Sequence, residues 1–269
     1  MAVAQDPIWE RFLQPLFQLL IDEKPLKELY ENTDWQKECD RLSNPNLVYP
    51  KYYSSQNFHG VKGGYLTPDA AVTYDPITQY ALPPNETWIR QELIEAIKGK
   101  PQNILDLGCG TGSTTIMLQK AFPNAKVTGL DLSPYMLAIA EMKAKQENLN
   151  IQWLHSQAEA TEFADAQFDL ITASLLFHET PLRISQAILK EGFRLLTRGG
   201  QILILDGNQK TIRQTSWLTE IFEEPYIKDY AKASVDAWMG ATGFKQVRTN
   251  DVWLLNQVTR AVKPGVAKF

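Results

Sequence analysis

Ile104-Leu105-Asp106-Leu107-Gly108-Cys109-Gly110-Thr111-Gly112 leads from a short apolar run into three alternating glycines, and Ser113 then opens a stretch of helical character. Glycine tolerates positive φ and carries no Cβ, so a ligand can lie close to the turn while the amides opening the helix offer donors. Strand, glycine turn and helix in that order make a nucleotide-type ligand site. Spacing narrows the reading. A dinucleotide fingerprint is G-x-G-x-x-G, followed about 20 residues later by an acid that holds the ribose. Here the pattern is D-x-G-x-G-x-G, one residue tighter, with Asp106 two positions before the first glycine.

Working outward, Lys126-Val127-Thr128-Gly129-Leu130-Asp131 reads as a second strand ending in a carboxylate, 19 residues after Gly112, where a ribose diol needs a bidentate acceptor. The competing role for Asp131, capping the next helix, is weakened because Ser133 before Pro134 already supplies a cap. Ile151–His155 reads as a third strand, Phe168–Ile171 as a fourth and Gln201–Leu205 as a fifth. Residues 244–249 and 252–261 read as a closing pair around the turn dipeptide Asn250-Asp251. Helices are expected at 86–98, capped by Asn85 and ended at Gly99, and at 113–121, 134–147, 181–197, 212–222 and 226–241. Alternating strands and helices give a doubly wound α/β sheet, whose ligands sit beyond the carboxyl ends of the strands. Asp169 reads as part of a strand start.

ILDLGCGTG after a strand, with the carboxylate at the end of the next strand, resembles motif I of the class I S-adenosylmethionine-dependent methyltransferases, over roughly residues 86 to 262. The resemblance implies a seven-stranded, mostly parallel sheet of order 3-2-1-4-5-7-6, strand 7 antiparallel, with S-adenosylmethionine as cofactor. It implies a donor site in which Gly108, Cys109, Gly110 and Gly112 pack under the methionine part and Asp106 helps hold its amino group. Asp131 and Leu132 fall at the ribose, Gln157 and Ala158 at the adenine, and Ser174 at the end of the fourth strand. The family usually reads G-D-A where this chain has Ser156-Gln157-Ala158, yet the Gln157 oxygen can still accept from the adenine amino group. In the small-molecule members, resembling the ubiquinone/menaquinone-biosynthesis group, the stretch after the fourth strand carries groups near the transferred methyl. Phe177 is the substrate-side candidate there, and His178, the candidate general base, and Glu179 are the catalytic candidates, both expected to face the pocket mouth. The alternatives are a helix-start histidine bonded to backbone, and an acid that favours the helix dipole.

At 269 residues, 44% apolar and 22% charged, the chain has ordinary globular usage. A net charge of −4 with scattered Lys and Arg argues against a nucleic-acid partner. Cys39 and Cys109, with His59, His155 and His178, form no C-x-x-C or H-E-x-x-H pattern, so no metal is expected. The chain opens on no signal-peptide pattern, and no apolar run approaches the roughly 18 residues of a spanning helix, so a cytoplasmic protein without integral membrane association is expected. An N/D-P-P-Y element after the fourth strand, which marks transferases acting on amide or exocyclic amino nitrogens, is absent.

Residues 1–85 are read as an extension capping the active site, and 86–269 as the donor-binding domain. Apolar residues from Ile8 to Ile21 recur at helical spacing and predict an amphipathic helix over 8–22. Residues 43–85, rich in Pro, Asn, Gly and Tyr, read as an ordered aromatic loop region. Within it Tyr53, His59 and Tyr65 are substrate-side candidates, and Tyr52 joins them on composition. The expected activity is methyl transfer by in-line displacement to a small apolar or aromatic metabolite. The alternatives are a protein methyltransferase and a S-adenosylmethionine-binding sensor or assembly protein without turnover.

Overall fold

Asn103–Leu107 (β1), Lys126–Asp131 (β2) and Phe168–Ser174 (β4) are buried along nearly their whole length. Strands apolar on both faces belong in a parallel sheet covered by helices on each side. The computed structural model describes residues 22–58, 63–81, 85–215 and 225–265. With Gln152–His155 (β3), Leu196–Gly207 (β5), Lys245–Val252 (β6) and Asn256–Val262 (β7), the strands form one sheet of order β3-β2-β1-β4-β5-β7-β6. β7 runs antiparallel to both β5 and β6, and the other pairings are parallel. The strand order switches between β1 and β4, which opens a crevice at the carboxyl ends of β1, β2 and β4.

Helices cover both faces. Glu86–Ala96 (numbered α5 in chain order), Ser113–Ala121 (α6), Pro134–Gln146 (α7) and Leu182–Leu195 (α8) follow the expected positions closely. Asn85 accepts from the Thr87 amide at 2.8 Å and Ser133 from the Met136 amide at 3.2 Å, so both predicted caps form. Asp169 accepts from the amides of Gln102 and Asn103, tying the start of β4 to that of β1.

The extension is more helical than its composition suggests. Glu23–Asn32 (α1) and Trp35–Leu42 (α2) precede the loop region read over 43–85, and Lys51–Ser54 (α3) and Pro68–Ala81 (α4) form within it. Pro76 sits inside α4, where a proline ordinarily breaks a helix. Here the Thr67 hydroxyl caps the start by accepting from the Ala70 amide at 3.2 Å. Ala70, Ala71 and Val72 pack on Met136 and Ile139 of α7 and repay the lost backbone bond. The amphipathic helix read over 8–22 lies outside the described residues, apart from Asp22, which caps α1.

Three boundaries differ from expectation. The 226–241 helix is two helices, Ile227–Lys232 (α10) and Val235–Thr242 (α11), because the Ser234 hydroxyl caps a fresh start at the Ala237 amide. The helix read over 212–222 is Gln209–Gln214 (α9), capped by Asn208, and 216–224 lie outside the described residues. The closing turn falls at 253–255, not at Asn250-Asp251, which stay in the ladder opposite Val258 and Gln257. Asp251 accepts from the Asn208 side chain at 2.9 Å, and Trp253 takes the turn's positive φ of 52° with its ring stacked on Trp88.

Candidate functional site

The glycine turn leaves β1 with Gly108, Gly110 and Gly112 all at positive φ, of 63°, 53° and 78°. Their surroundings differ. A Cβ on Gly108 would lie 2.7 Å from the Leu176 side chain, and one on Gly112 would lie 2.7 Å from the Trp153 ring. A Cβ on Gly110 would meet nothing within 4 Å, so this glycine presents the open face of the turn. Asp131, at the end of β2, accepts from the Gly110 amide and from the Ser133 amide, each at 2.8 Å. It therefore locks the turn to the start of α7 while lining the crevice. Burial pushes its pKa up from 3.8 to about 6, against the pull of those amides, and the Glu179 charge adds to the rise.

Asp106 lies deeper. Both its oxygens are taken, one by the Thr172 hydroxyl at 2.7 Å and the other by the Thr115 hydroxyl at 2.6 Å, and it is absent from the crevice wall. Its carboxylate ties β1 to β4 and α6, and burial raises its pKa.

The crevice encloses about 670 Å³, its open mouth included. One side is the sheet: Gly108, Gly110, Leu130, Asp131, Leu132, Ser156, Ala158 and Ser174. The other side is the extension, through Tyr52, Tyr53, Phe58, Tyr65 and Tyr74. Leu175, Leu176, Glu179 and Thr180 close it after β4, with Leu175 at a positive φ of 58° that is costly for a branched side chain. Of the expected donor residues, Gly108, Gly110, Asp131, Leu132, Ala158 and Ser174 meet here. Cys109 and Gly112 shape the turn from behind, and Gln157 lies beside the wall while its neighbours Ser156 and Ala158 form it.

The residues after β4 part company. Glu179 lines the crevice and accepts from the Tyr65 hydroxyl at 2.5 Å. His178 was expected to face the pocket mouth, yet it is buried with Nδ1 2.6 Å from Asp206 Oδ1 and its Nε2 3.9 Å from Glu179 Oε1. Asp206, fully buried at the end of β5, also accepts from the Phe177 and Gly207 amides. Phe177, read as a substrate contact, is instead a core side chain with no exposure, because the short helical turn Phe177–Glu179 points it into the sheet–helix core. Tyr53 and Tyr65, read as substrate-side candidates, line the crevice, and His59 lies outside the described residues. Tyr74, Phe58, Leu175 and Leu176 were missed.

Two latches fix the extension over this site. The Asp75 carboxylate of α4 accepts from Thr111 and Ser113 at the glycine turn and from Lys143 of α7, the last at 2.5 Å. At the sheet edge, the Asn44 amide donates to His155 Nδ1 at 2.9 Å, leaving Nε2 to donate to the Leu132 carbonyl at 2.9 Å. Burial lowers the His155 pKa below 6.5, consistent with this neutral form.

A family described as a methyltransferase domain matches residues 104–200, the span from β1 to the middle of β5. Residues 104–200 are thus similar to a methyltransferase domain. The demethylmenaquinone methyltransferase of Thermus thermophilus is 36% identical to the chain over 119 residues, 44% of this chain and 53% of that protein. The chain spans about half the length of the curated relatives it matches. Among solved structures, phosphoethanolamine N-methyltransferase 2 of Haemonchus contortus, in complex with S-adenosyl-L-methionine, superposes with a TM-score of 0.61. It has 16% identity and covers 82% of this chain and 61% of its own. The PH0226 protein of Pyrococcus horikoshii superposes with a TM-score of 0.55 at 17% identity, covering 80% of this chain and 99% of its own. The chain shares its fold with these structures, a seven-stranded sheet with the antiparallel β7 inserted between β5 and β6.

Proposed function

We propose that the chain transfers the methyl group of S-adenosylmethionine to a small molecule with an apolar or aromatic body. The observation that carries this reading is the single crevice in which the open face of Gly110 and the Asp131 carboxylate stand opposite five aromatic side chains of the extension. The residues fit the donor. Each Asp131 oxygen accepts one amide and keeps a further lone pair for a ribose hydroxyl. Ser156 and Ala158 lie where the adenine is expected, and Gly110 leaves room for the methionine part.

The donor supplies an electrophilic methyl, so the protein's task is placement. Holding the reacting atoms about 3–3.5 Å apart and excluding water accounts for much of the acceleration in such displacements. Tyr53, Tyr65 and Tyr74 wall off the acceptor side, and Glu179 places a carboxyl group there. His178, held by Asp206, stands behind Glu179 and does not line the crevice.

Calorimetric titration of the protein with S-adenosylmethionine and S-adenosylhomocysteine, repeated on Asp131→Ala, tests the reading. Micromolar binding of both, lost in the variant, is the expected result. Absence of binding to the unaltered protein overturns it.

A further inference from the structure

Behind the glycine turn, a chain of side-chain hydrogen bonds runs from a buried cation out to the crevice wall. Arg90 of α5 is buried, its Nε donating to Glu86 at 2.8 Å and its Nη2 to the same carboxylate oxygen. Its Nη1 donates to Thr114 Oγ1 at 2.6 Å, and the Thr114 hydroxyl donates to Ser174 Oγ at 3.0 Å. A guanidinium can only donate, so Thr114 has to accept on that side and turn its own hydrogen toward Ser174. Ser174 is 8% exposed and lines the crevice, and its hydroxyl hydrogen finds no acceptor among the described residues. Leaving a buried donor unmade is costly, and an acceptor within the crevice removes that cost.

The register says what stands in front of it. Leu107 pairs with Ala173, which sets Ser174 level with Gly108, and Thr114 belongs to the first turn of α6, directly after Gly112. Both hydroxyls therefore sit at the glycine turn, where Gly110 leaves room for the methionine part. That part carries an ammonium and a carboxylate, and of the two only the carboxylate can accept a hydrogen. The potential there suits an anion. Burial dominates the raised pKa of Tyr74 on the same crevice wall, yet the Arg90 charge lowers that pKa by more than its partner Glu86 raises it. Resting on the reading that this crevice holds S-adenosylmethionine, we infer that the Ser174 hydroxyl, oriented by Arg90 through Thr114, donates to the carboxylate of the methionine part. Thr114 and Arg90 are then positioning residues for that contact.

The test compares S-adenosylhomocysteine with its decarboxylated form, which keeps the amino group, by calorimetric titration of the full chain. The unaltered protein should prefer the carboxylated ligand by about tenfold or more, as a hydrogen bond to a charged group allows. Ser174→Ala should remove most of that preference by weakening S-adenosylhomocysteine alone, with the decarboxylated ligand held within about twofold of its original affinity. Thr114→Val, which cuts the chain one link earlier, should shrink the same ratio, and Thr114→Ser, which keeps the hydroxyl, should preserve it. A ratio between two ligands does not move when a variant merely lowers the fraction of folded protein. Absence of the preference in the unaltered protein, a ratio unchanged in Ser174→Ala or in Thr114→Val, or a ratio lost in Thr114→Ser overturns the inference. Failure of the unaltered protein to bind S-adenosylhomocysteine at all overturns instead the reading of the donor site, so the two fail separately.

Discussion

Gly110→Ala and Gly112→Ala place the same methyl group two residues apart in the same turn, and the structure separates their effects. Both residues sit at positive φ, 53° and 78°, so each alanine carries a left-handed strain of about 1–2 kcal/mol. At Gly110 nothing else lies within 4 Å of the new Cβ. At Gly112 the methyl would lie 2.7 Å from Trp153 Cη2 and 2.9 Å from the Ala140 Cβ. The ring is wedged between β3 and the turn and the alanine belongs to α7, so neither yields freely. Overpacking of this kind adds about 1–3 kcal/mol. Urea unfolding should therefore show Gly112→Ala losing about 2–5 kcal/mol and Gly110→Ala only the strain of about 1–2 kcal/mol. S-adenosylhomocysteine affinity should invert the ranking per unit of stability lost, because the Gly110 methyl projects into the open ligand face and the Gly112 methyl does not. Equal stability losses, or unchanged affinity in Gly110→Ala, would refute the assignment of packing to one glycine and ligand approach to the other.

Further outcomes follow from the ionisable groups. Asp131, with its pKa raised from 3.8 to about 6, favours folding when protonated, so its contribution to unliganded stability is full below pH 3.8 and disappears as pH rises through 6. Ribose binding needs the ionised form, so S-adenosylhomocysteine affinity should fall about tenfold per pH unit below 6 with proton release on binding, and Asp131→Asn should flatten the profile. Glu86 and Arg90 are a buried pair, and Glu86 also accepts from Thr78 at 2.9 Å while Arg90 donates to Thr114 at 2.6 Å. Glu86→Ala leaves the guanidinium buried without its carboxylate and should cost about 3–5 kcal/mol by chemical denaturation. His155, neutral with a pKa lowered by burial, should stabilise the protein most above pH 6.5, with the loss setting in as pH falls below that value. Hydrogen exchange at the Asn44 amide, which donates to its Nδ1, should quicken over the same range, and a flat profile would contradict the neutral tautomer.

Local chemistry made much of this architecture legible. The apolar strands, the helix caps at Asn85 and Ser133, and the acid closing β2 each follow from a few adjacent residues, and the structure places them as read. What stayed hidden depends on distant partners. Nothing near His178 announces Asp206, 28 residues on, and only the pairing of β4 with β5 brings them together. Asp131 reads as a ligand acceptor from its position, but its grip on the Gly110 amide requires β1 and β2 to lie side by side. The α4 helix was masked by Pro76 and its aromatic composition, although Thr67 followed by Pro68 and Asp69 is a readable helix start that would have placed Tyr74 on it.

Asp75 has a consequence for anyone who would rebuild this protein. Its carboxylate belongs to the extension, while its partners Thr111, Ser113 and Lys143 belong to the glycine turn and to α7. The two halves therefore cannot be exchanged as separate modules. A chimera that grafts a foreign cap onto this domain must import an acid at the position of Asp75, or strip Thr111, Ser113 and Lys143 of their shared acceptor. On the proposed reading of the crevice, substrate range and cofactor grip are inherited together, and the unit of recombination runs from α4 through α7.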